Sequence, residues 1–85
     1  MLSLGQVVAT PGALNACDFS NLMLCLTRHR AGDWGDLGAE DKQANTRALV
    51  EGTRVFSAYM VNETKIWIIT EADRSVTTVL LLDEY

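Results

Sequence analysis

Residues 54–82 read RVFSAYMV, NET, KIWIIT, EADRS and VTTVLLL, and this pattern predicts a β-sheet. Its apolar segments are rich in β-branched and aromatic residues, which favour strands, and the polar segments between them are typical of turns. We expect strands over residues 54–61, 65–70 and 76–82, joined as an antiparallel meander. A further apolar stretch, residues 2–9, predicts a possible fourth strand at an edge of the sheet.

Three helices are predicted ahead of these strands. Thr10 and Asp18 are typical N-caps, so we expect helices over residues 11–16 and from residue 19 to about 30. A third helix is expected from about residue 39 to 51, because Gly52 is a typical helix end. Helices followed by strands indicate one small α+β domain over residues 1–85, with three short helices packed on an antiparallel three- to four-stranded β-meander.

The two faces of the predicted sheet differ in how they can be covered. With residues 62–64 as the turn, alternation along the strands places Tyr59 and Trp67 on one face. Three modest helices can cover only the other face well. The Tyr59/Trp67 face must therefore be covered by the N-terminal segment, by a second copy in a homodimer, or by a protein partner, and Trp and Tyr are enriched where proteins meet.

The charge balance argues against several classes of protein. Seven Lys and Arg against eleven Asp and Glu give a net charge of −4. No basic stripe is visible, so we expect no direct nucleic-acid binding, and the charge is too small for a DNA mimic. No apolar run approaches the ~20 residues of a membrane span, so no membrane association is expected. Residues 1–9 carry no basic residue ahead of their apolar stretch, unlike a signal peptide.

The cysteine pattern favours a cytoplasmic protein. Cys17 and Cys25 are the only two cysteines, and no CxxC pair is present. We interpret them as buried thiols in a reducing compartment rather than as a disulfide, and we expect no metal and no cofactor.

The loop GDWGDLG at residues 32–38 is the first candidate binding site. Its glycines and aspartates are typical of a tight, shaped turn. We predict that the indole of Trp34 packs against the helices or the sheet and holds Asp33 and Asp36 at a fixed spacing. A tryptophan presented to a partner is the alternative.

The polar string TEADRS at residues 70–75 is the second candidate. Glu71, Asp73 and Arg74 form either a small catalytic or anion-binding group or, more simply, a turn stabilised by an Asp–Arg pair. His29 is the only histidine, and it is the natural acid–base group at neutral pH. A surface position in the last turn of a helix explains it without catalysis, because positive charge there suits the helix dipole.

Several strings resemble one family of small bacterial proteins that are carried on plasmids and integrating elements and labelled plasmid-related or hypothetical. These strings are TPGAL at 10–14, GDWGDL at 32–37 and TEADRS at 70–75, with WII and TTVLL around the last. Leu82, where the family tends to have proline, and residues 15–26 depart from its pattern. The resemblance implies a common fold and an accessory role in a mobile element, with no established activity.

We therefore predict a non-enzymatic protein-interaction module. Its candidate binding residues are Trp34, Asp33, Asp36, Glu71, Asp73, Arg74, Trp67 and Tyr59. An acidic, anti-restriction-like protein that competes for a basic target is one alternative. A small hydrolase that uses His29, Glu71 and Asp73 is another.

Overall fold

The sheet is mixed and has four strands within residues 2–85, the part of the chain that this computed structural model describes. These strands are β1 (Gln6–Ala9), β2 (Val55–Val61), β3 (Thr64–Thr70) and β4 (Val76–Leu81). The strand order is β1-β4-β3-β2, and β2, β3 and β4 form the predicted antiparallel meander. The predicted fourth strand, β1, lies at an edge, but it runs parallel to β4, so the sheet is not purely antiparallel.

The helices lie close to where the capping signals place them: α1 (Pro11–Ala16), α2 (Phe19–Arg30) and α3 (Ala39–Glu51). Thr10 accepts a hydrogen bond from the backbone of α1, and Asp18 caps α2 in the same way. Gly52 ends α3 with φ 75°, a conformation that glycine adopts without strain. The domain is thus α+β. Leu82, predicted as the last strand residue, instead begins a 3-10 turn over Leu82–Glu84, called the C-terminal turn below.

The hairpin between β2 and β3 corrects the predicted pairing. Asn62 and Glu63 both have positive φ, 48° and 67°, as in two-residue hairpin turns of type I′. Val61 therefore pairs with Thr64, and Tyr59 pairs with Ile66. The three-residue turn assumed above would have paired Tyr59 with Trp67. Because one residue fewer shifts the register by one, every β3 side chain moves to the other face, and Tyr59 and Trp67 do not share a face.

The helices pack on the face that carries Tyr59. The larger core joins residues of α1 and α2, among them Ala13, Cys25 and Leu26, to Tyr59, Val61, Ile66, Ile68 and Val79 of the sheet. A second cluster joins Ala48 of α3 to Leu2, Trp34 and Val55. The opposite face, as far as the structure describes it, contributes no residue to either cluster, and we call it the open face. Its side chains are Phe56, Ala58 and Met60 of β2, Lys65, Trp67 and Ile69 of β3, and Thr78 and Leu80 of β4.

Candidate functional site

The open face contains an apolar groove of about 380 Å³. Its lining is Phe56, Trp67, Ile69, Leu80 and Leu82, with Arg54 and Tyr85 at one end. The strands supply the floor because alternate side chains of β2, β3 and β4 point to this side. The C-terminal turn supplies one wall. We call this feature the open-face groove.

Trp67 is the central aromatic group of the groove. Its ring stacks on Phe56 with ring centroids 5.7 Å apart and an interplanar angle of 25°. The ammonium of Lys65 lies 6.0 Å from the centroid of the Trp67 ring, within the range of a cation–π contact. The indole Nε1–H is buried and has no hydrogen-bond partner among the described residues. An unmade bond of this kind costs about 1–3 kcal/mol.

Arg54 marks the polar end of the groove. Its Nε and Nη2 donate to Glu71 Oε1 at 3.2 and 3.0 Å, and its Nη1 donates to the Tyr85 hydroxyl at 2.8 Å. The hydrogen bonds to Glu71 raise the pKa of Arg54 above its already high ordinary value. The guanidinium therefore holds Glu71 and Tyr85 together at the rim.

Glu84 anchors the C-terminal turn to the start of α1. Its carboxylate accepts hydrogen bonds from the Thr10 hydroxyl at 2.5 Å, the Gly12 amide at 3.0 Å and the Leu81 amide at 2.8 Å. These bonds lower the pKa of Glu84. A Cβ on Gly12 would lie only 2.6 Å from the same carboxylate, so a larger residue there would require the Glu84 side chain to shift. The bonds hold the turn, and with it Tyr85, against the groove.

Trp34 lies in the core, as predicted for its ring. It is 6% exposed and packs with Leu2, Ala48 and Val55. Its ring also makes an edge contact with His29, with centroids 5.7 Å apart. The indole is therefore not presented to a partner.

The two aspartates of the same loop are exposed, and each forms an ion pair. Asp33 accepts from Arg28 Nε at 2.7 Å and from Nη2 at 3.2 Å, and this bonding lowers the pKa of Asp33. Asp36 lies 3.1 Å from the Lys65 ammonium. Through Asp36, the loop reaches the edge of the open face.

The 70–75 turn does not contain the predicted Asp–Arg pair. Asp73 accepts from the amide and hydroxyl of Ser75, at 3.0 and 2.6 Å. Arg74 instead donates to three backbone carbonyls, those of Ala48, Thr53 and Glu71. Its guanidinium thus joins the end of α3 to the turn, which is a structural role. Of the candidates in this turn, only Glu71 borders the groove.

His29 is fully buried, so the expectation of a surface histidine is wrong. Its Nδ1 lies 2.6 Å from the Ser57 hydroxyl and its Nε2 lies 2.9 Å from the Thr70 hydroxyl. Thr70 lies 2.7 Å from Thr77, which in turn donates its proton to the Leu4 carbonyl. Burial lowers the pKa of His29 to about 4. The imidazole is therefore neutral at physiological pH.

The three residues of the hydrolase alternative do not form one site. His29 bonds to Thr70 on the helix-covered face, whereas Glu71 pairs with Arg54 beside the open-face groove. Asp73 is engaged by Ser75 in an exposed turn. Ser57, the hydroxyl nearest to the imidazole, is as fully buried as His29, so a substrate cannot reach either group.

The outer edge of β2 is closed by hydrogen bonds that the sequence did not reveal. The side-chain amide of Asn45 donates to the Phe56 carbonyl at 2.6 Å and accepts from the Phe56 amide at 3.1 Å. Ala58, the next residue whose backbone groups point away from β3, donates its amide to the Trp34 carbonyl and accepts at its carbonyl from the Asp36 amide. Another strand therefore cannot add here without breaking these bonds.

The groove residues that sequence reasoning missed are Arg54, Phe56, Ile69, Leu80, Leu82 and Tyr85. The signal was present, because Phe56, Ile69 and Leu80 alternate with core residues along their strands. This alternation identifies the groove residues only when the register of the β2–β3 hairpin is known. Tyr59, a candidate binding residue from the sequence, is a core residue whose hydroxyl donates to the Asp33 carbonyl at 2.6 Å.

No family model, curated protein or solved structure matches this chain. The fold and the site therefore rest on the chain's own residues. Among residues 2–85, no helix is long and apolar enough to cross a membrane. Within the same range, no three His, Cys, Asp or Glu side chains are grouped so that they could hold a metal ion.

Proposed function

We propose that this chain is a protein-interaction module whose binding surface is the open face of the sheet. The observation that carries the proposal is the groove built around the Phe56–Trp67 stack, which lies outside both hydrophobic cores. Aromatic side chains in a partly desolvated pocket are the usual centres of binding energy at protein interfaces. Ile69 and Leu80 are buried within the single chain, and Met60, Leu82 and Tyr85 are the exposed large hydrophobic side chains on and beside this face.

The size of the open face supports this reading. Strands about 4.8 Å apart and rows of side chains about 7 Å apart give the three strands and three rows of the open face an area of about 300 Å² in projection. Apolar patches of about 300–600 Å² on monomers are often functional.

The acidic alternative has less support from the contacts. Asp33, Asp36 and Glu71 each pair with a basic side chain of the chain itself. Their charges are therefore locally compensated, and a dense array of free carboxylates that would imitate a phosphate backbone is not assembled from them. We favour recognition through apolar contact, with charges at the rim.

We extend the proposal to the setting of the protein. The two free, buried cysteines, Cys17 and Cys25, support a reducing compartment such as the cytoplasm. The resemblance to proteins of plasmids and integrating elements supports an accessory role in such an element.

The proposed function is tested with three bait proteins: the wild type, Trp67→Ala and Leu24→Ala. Leu24 is an exposed apolar residue on α2, away from the open face, so it controls for loss of apolar surface in general. A captured protein is purified and its binding to each bait is measured directly. We expect Trp67→Ala to weaken binding at least about tenfold and Leu24→Ala to leave it unchanged. Equal binding by all three baits would contradict the proposal. The proposal would also be contradicted if the protein showed no binding to a partner and no self-association that depends on Trp67.

A further inference from the structure

The outward side chains of β3 have a self-complementary order. Lys65, Trp67 and Ile69 face outward in turn, and Glu71 follows at the groove rim. The column therefore reads basic, aromatic, aliphatic, acidic. If a second column lies over it in the opposite direction, Lys65 meets Glu71, and Trp67 meets Ile69. The midpoint of this order is Ile68.

From this order we infer that the partner of the open face is a second copy of the chain, packed face to face with its β3 antiparallel to the first. The inference rests on the proposed function and names its partner. A twofold axis perpendicular to the strands, in the plane between the two sheets, produces this arrangement, and closed dimers are the commonest symmetric assemblies. Face-to-face sheets keep their strands within about 30° of each other, so the columns stay aligned.

The same axis brings large side chains against small ones on the neighbouring strand. Ser57 of β2 pairs with Ile68, so the axis passes over Ser57 as well. Phe56 of one copy then lies over Ala58 of the other. Met60, which is 54% exposed, lies over the Arg54 end of the groove in the second copy. Alternation of large and small groups lets the two faces interdigitate.

The charges at the rim form a continuous set across the interface. Within one copy, Lys65 already lies 3.1 Å from Asp36, and Arg54 lies 3.0 Å from Glu71. In the dimer, Lys65 of each copy approaches Glu71 of the other. Four side chains then alternate in sign, from Asp36 and Lys65 of one copy to Glu71 and Arg54 of the second. The twofold axis creates two such sets, both at the exposed rim of an apolar centre.

Addition of a strand from another chain at β2 does not explain the face, because Asn45 and the Trp34 loop occupy that edge. The open face must therefore be covered by packing against side chains. A second copy supplies a face of equal size and matching charge. A foreign partner with its own apolar surface is the alternative that the test below separates.

The test uses reversal of charge at the two ends of the β3 column. Lys65→Glu places a carboxylate opposite Glu71 of the second copy, and Glu71→Lys places an ammonium opposite Lys65 of the second copy. We expect wild type to sediment as a dimer, at twice the 9.3 kDa of one chain. We expect each variant alone to dimerise at least about tenfold more weakly. An equimolar mixture of the two variants restores the dimer, because each carboxylate then meets an ammonium.

Matched controls carry the same charge changes on α3. Lys42→Glu and Glu40→Lys lie at exposed positions of that helix and should leave the dimer intact. Circular dichroism confirms that each variant is folded. The restored mixture is the decisive result, because a variant that misfolds or merely shifts the net charge would not be rescued by its counterpart.

Any of the following outcomes would overturn the inference. Wild type could remain monomeric at about 100 μM, folded variants could fail to associate when mixed, or the α3 controls could weaken the dimer equally. A monomer that still binds a foreign protein through Trp67 would leave the proposed function standing and replace the second copy by that protein. A dimer indifferent to Lys65, Glu71 and Trp67 uses another surface, and that result rejects the second copy at the open face.

Discussion

The hydrogen bond between His29 Nε2 and the Thr70 hydroxyl, 2.9 Å long, fixes the protonation of the buried imidazole. Thr77 donates its only hydroxyl proton to the Leu4 carbonyl, so Thr70 must donate to Thr77. Thr70 then has no proton left for His29 and accepts from Nε2–H. Ser57 is left to donate to Nδ1, 2.6 Å away. The chain of bonds places a proton on Nε2, and burial keeps the ring neutral, so Nδ1 is the acceptor.

Stability should fall in mild acid because of His29. Its pKa is lowered from 6.5 to about 4 by burial, so the unfolded chain binds more protons between these pH values. The free energy of unfolding therefore rises with pH across this window. The contribution of neutral His29 is fully present above about pH 6.5, and up to about 3 kcal/mol of it is lost as the pH falls toward 4. Urea unfolding at about pH 7.5, 5.5 and 4.5 measures this slope.

The variant His29→Gln supplies the control for that slope. The acidic groups with lowered pKa values, Asp33, Asp73 and Glu84, act at lower pH and remain in the variant. We expect the variant to lose most of the slope between about pH 4.5 and 6.5. It should also cost about 1–3 kcal/mol at neutral pH, more than a surface histidine would, because the buried hydroxyls lose a fitted partner. An unchanged slope would show that His29 is not the group responsible.

Trp34→Ala should destabilise the fold by about 3–5 kcal/mol, since the indole fills the cluster with Ala48 and Val55. Trp67→Ala removes the same side chain from the open face, where part of the ring is exposed, and should cost less. Chemical denaturation of both variants and the wild type compares the two costs. If Trp34→Ala lost no more stability than Trp67→Ala, the result would contradict the place of Trp34 in the core.

Asn45→Ala should cost about 2–3 kcal/mol because it leaves both backbone groups of Phe56 without their partner. The variant also opens the edge of β2, and we expect it to aggregate faster at equal concentration. Thr46→Ala, at the adjacent exposed position of α3, is the control and should do neither. Urea unfolding and light scattering give the two measurements. Wild-type stability in Asn45→Ala would refute the role assigned to this amide.

Gly35→Ala should be among the most damaging single-methyl changes in the chain. Gly35 has φ 71°, and a Cβ there would clash with the Ala58 carbonyl oxygen. We expect a loss of more than about 2 kcal/mol, since backbone strain and a clash with a strand add together. Gly38→Ala introduces the same methyl where no described atom other than its chain neighbours lies within 4 Å, and should cost less, since it only weakens the N-cap of α3. Thermal melts of the pair decide the point, and equal midpoints would argue against the close approach at Gly35.

The helices, the strands and their order follow from local sequence. Thr10, Asp18 and Gly52 set helix boundaries through local hydrogen bonds and backbone conformation, which depend on only a few neighbouring residues. The β-branched and aromatic runs after residue 53 determined the meander in the same way. The burial of Trp34 was also accessible, because an exposed indole between two glycines would be an apolar liability.

Tertiary contacts set the face that each β3 side chain occupies and the partner that each polar group finds. One residue in the hairpin turn moved Trp67 away from Tyr59, and local sequence does not distinguish a two-residue from a three-residue turn at Asn62 and Glu63. His29 bonds to residues 28 and 41 positions away, and the Asn45 amide acts on a different element. Such contacts depend on how distant segments meet, so the covered core, the open face and the groove on that face emerge only from the folded chain.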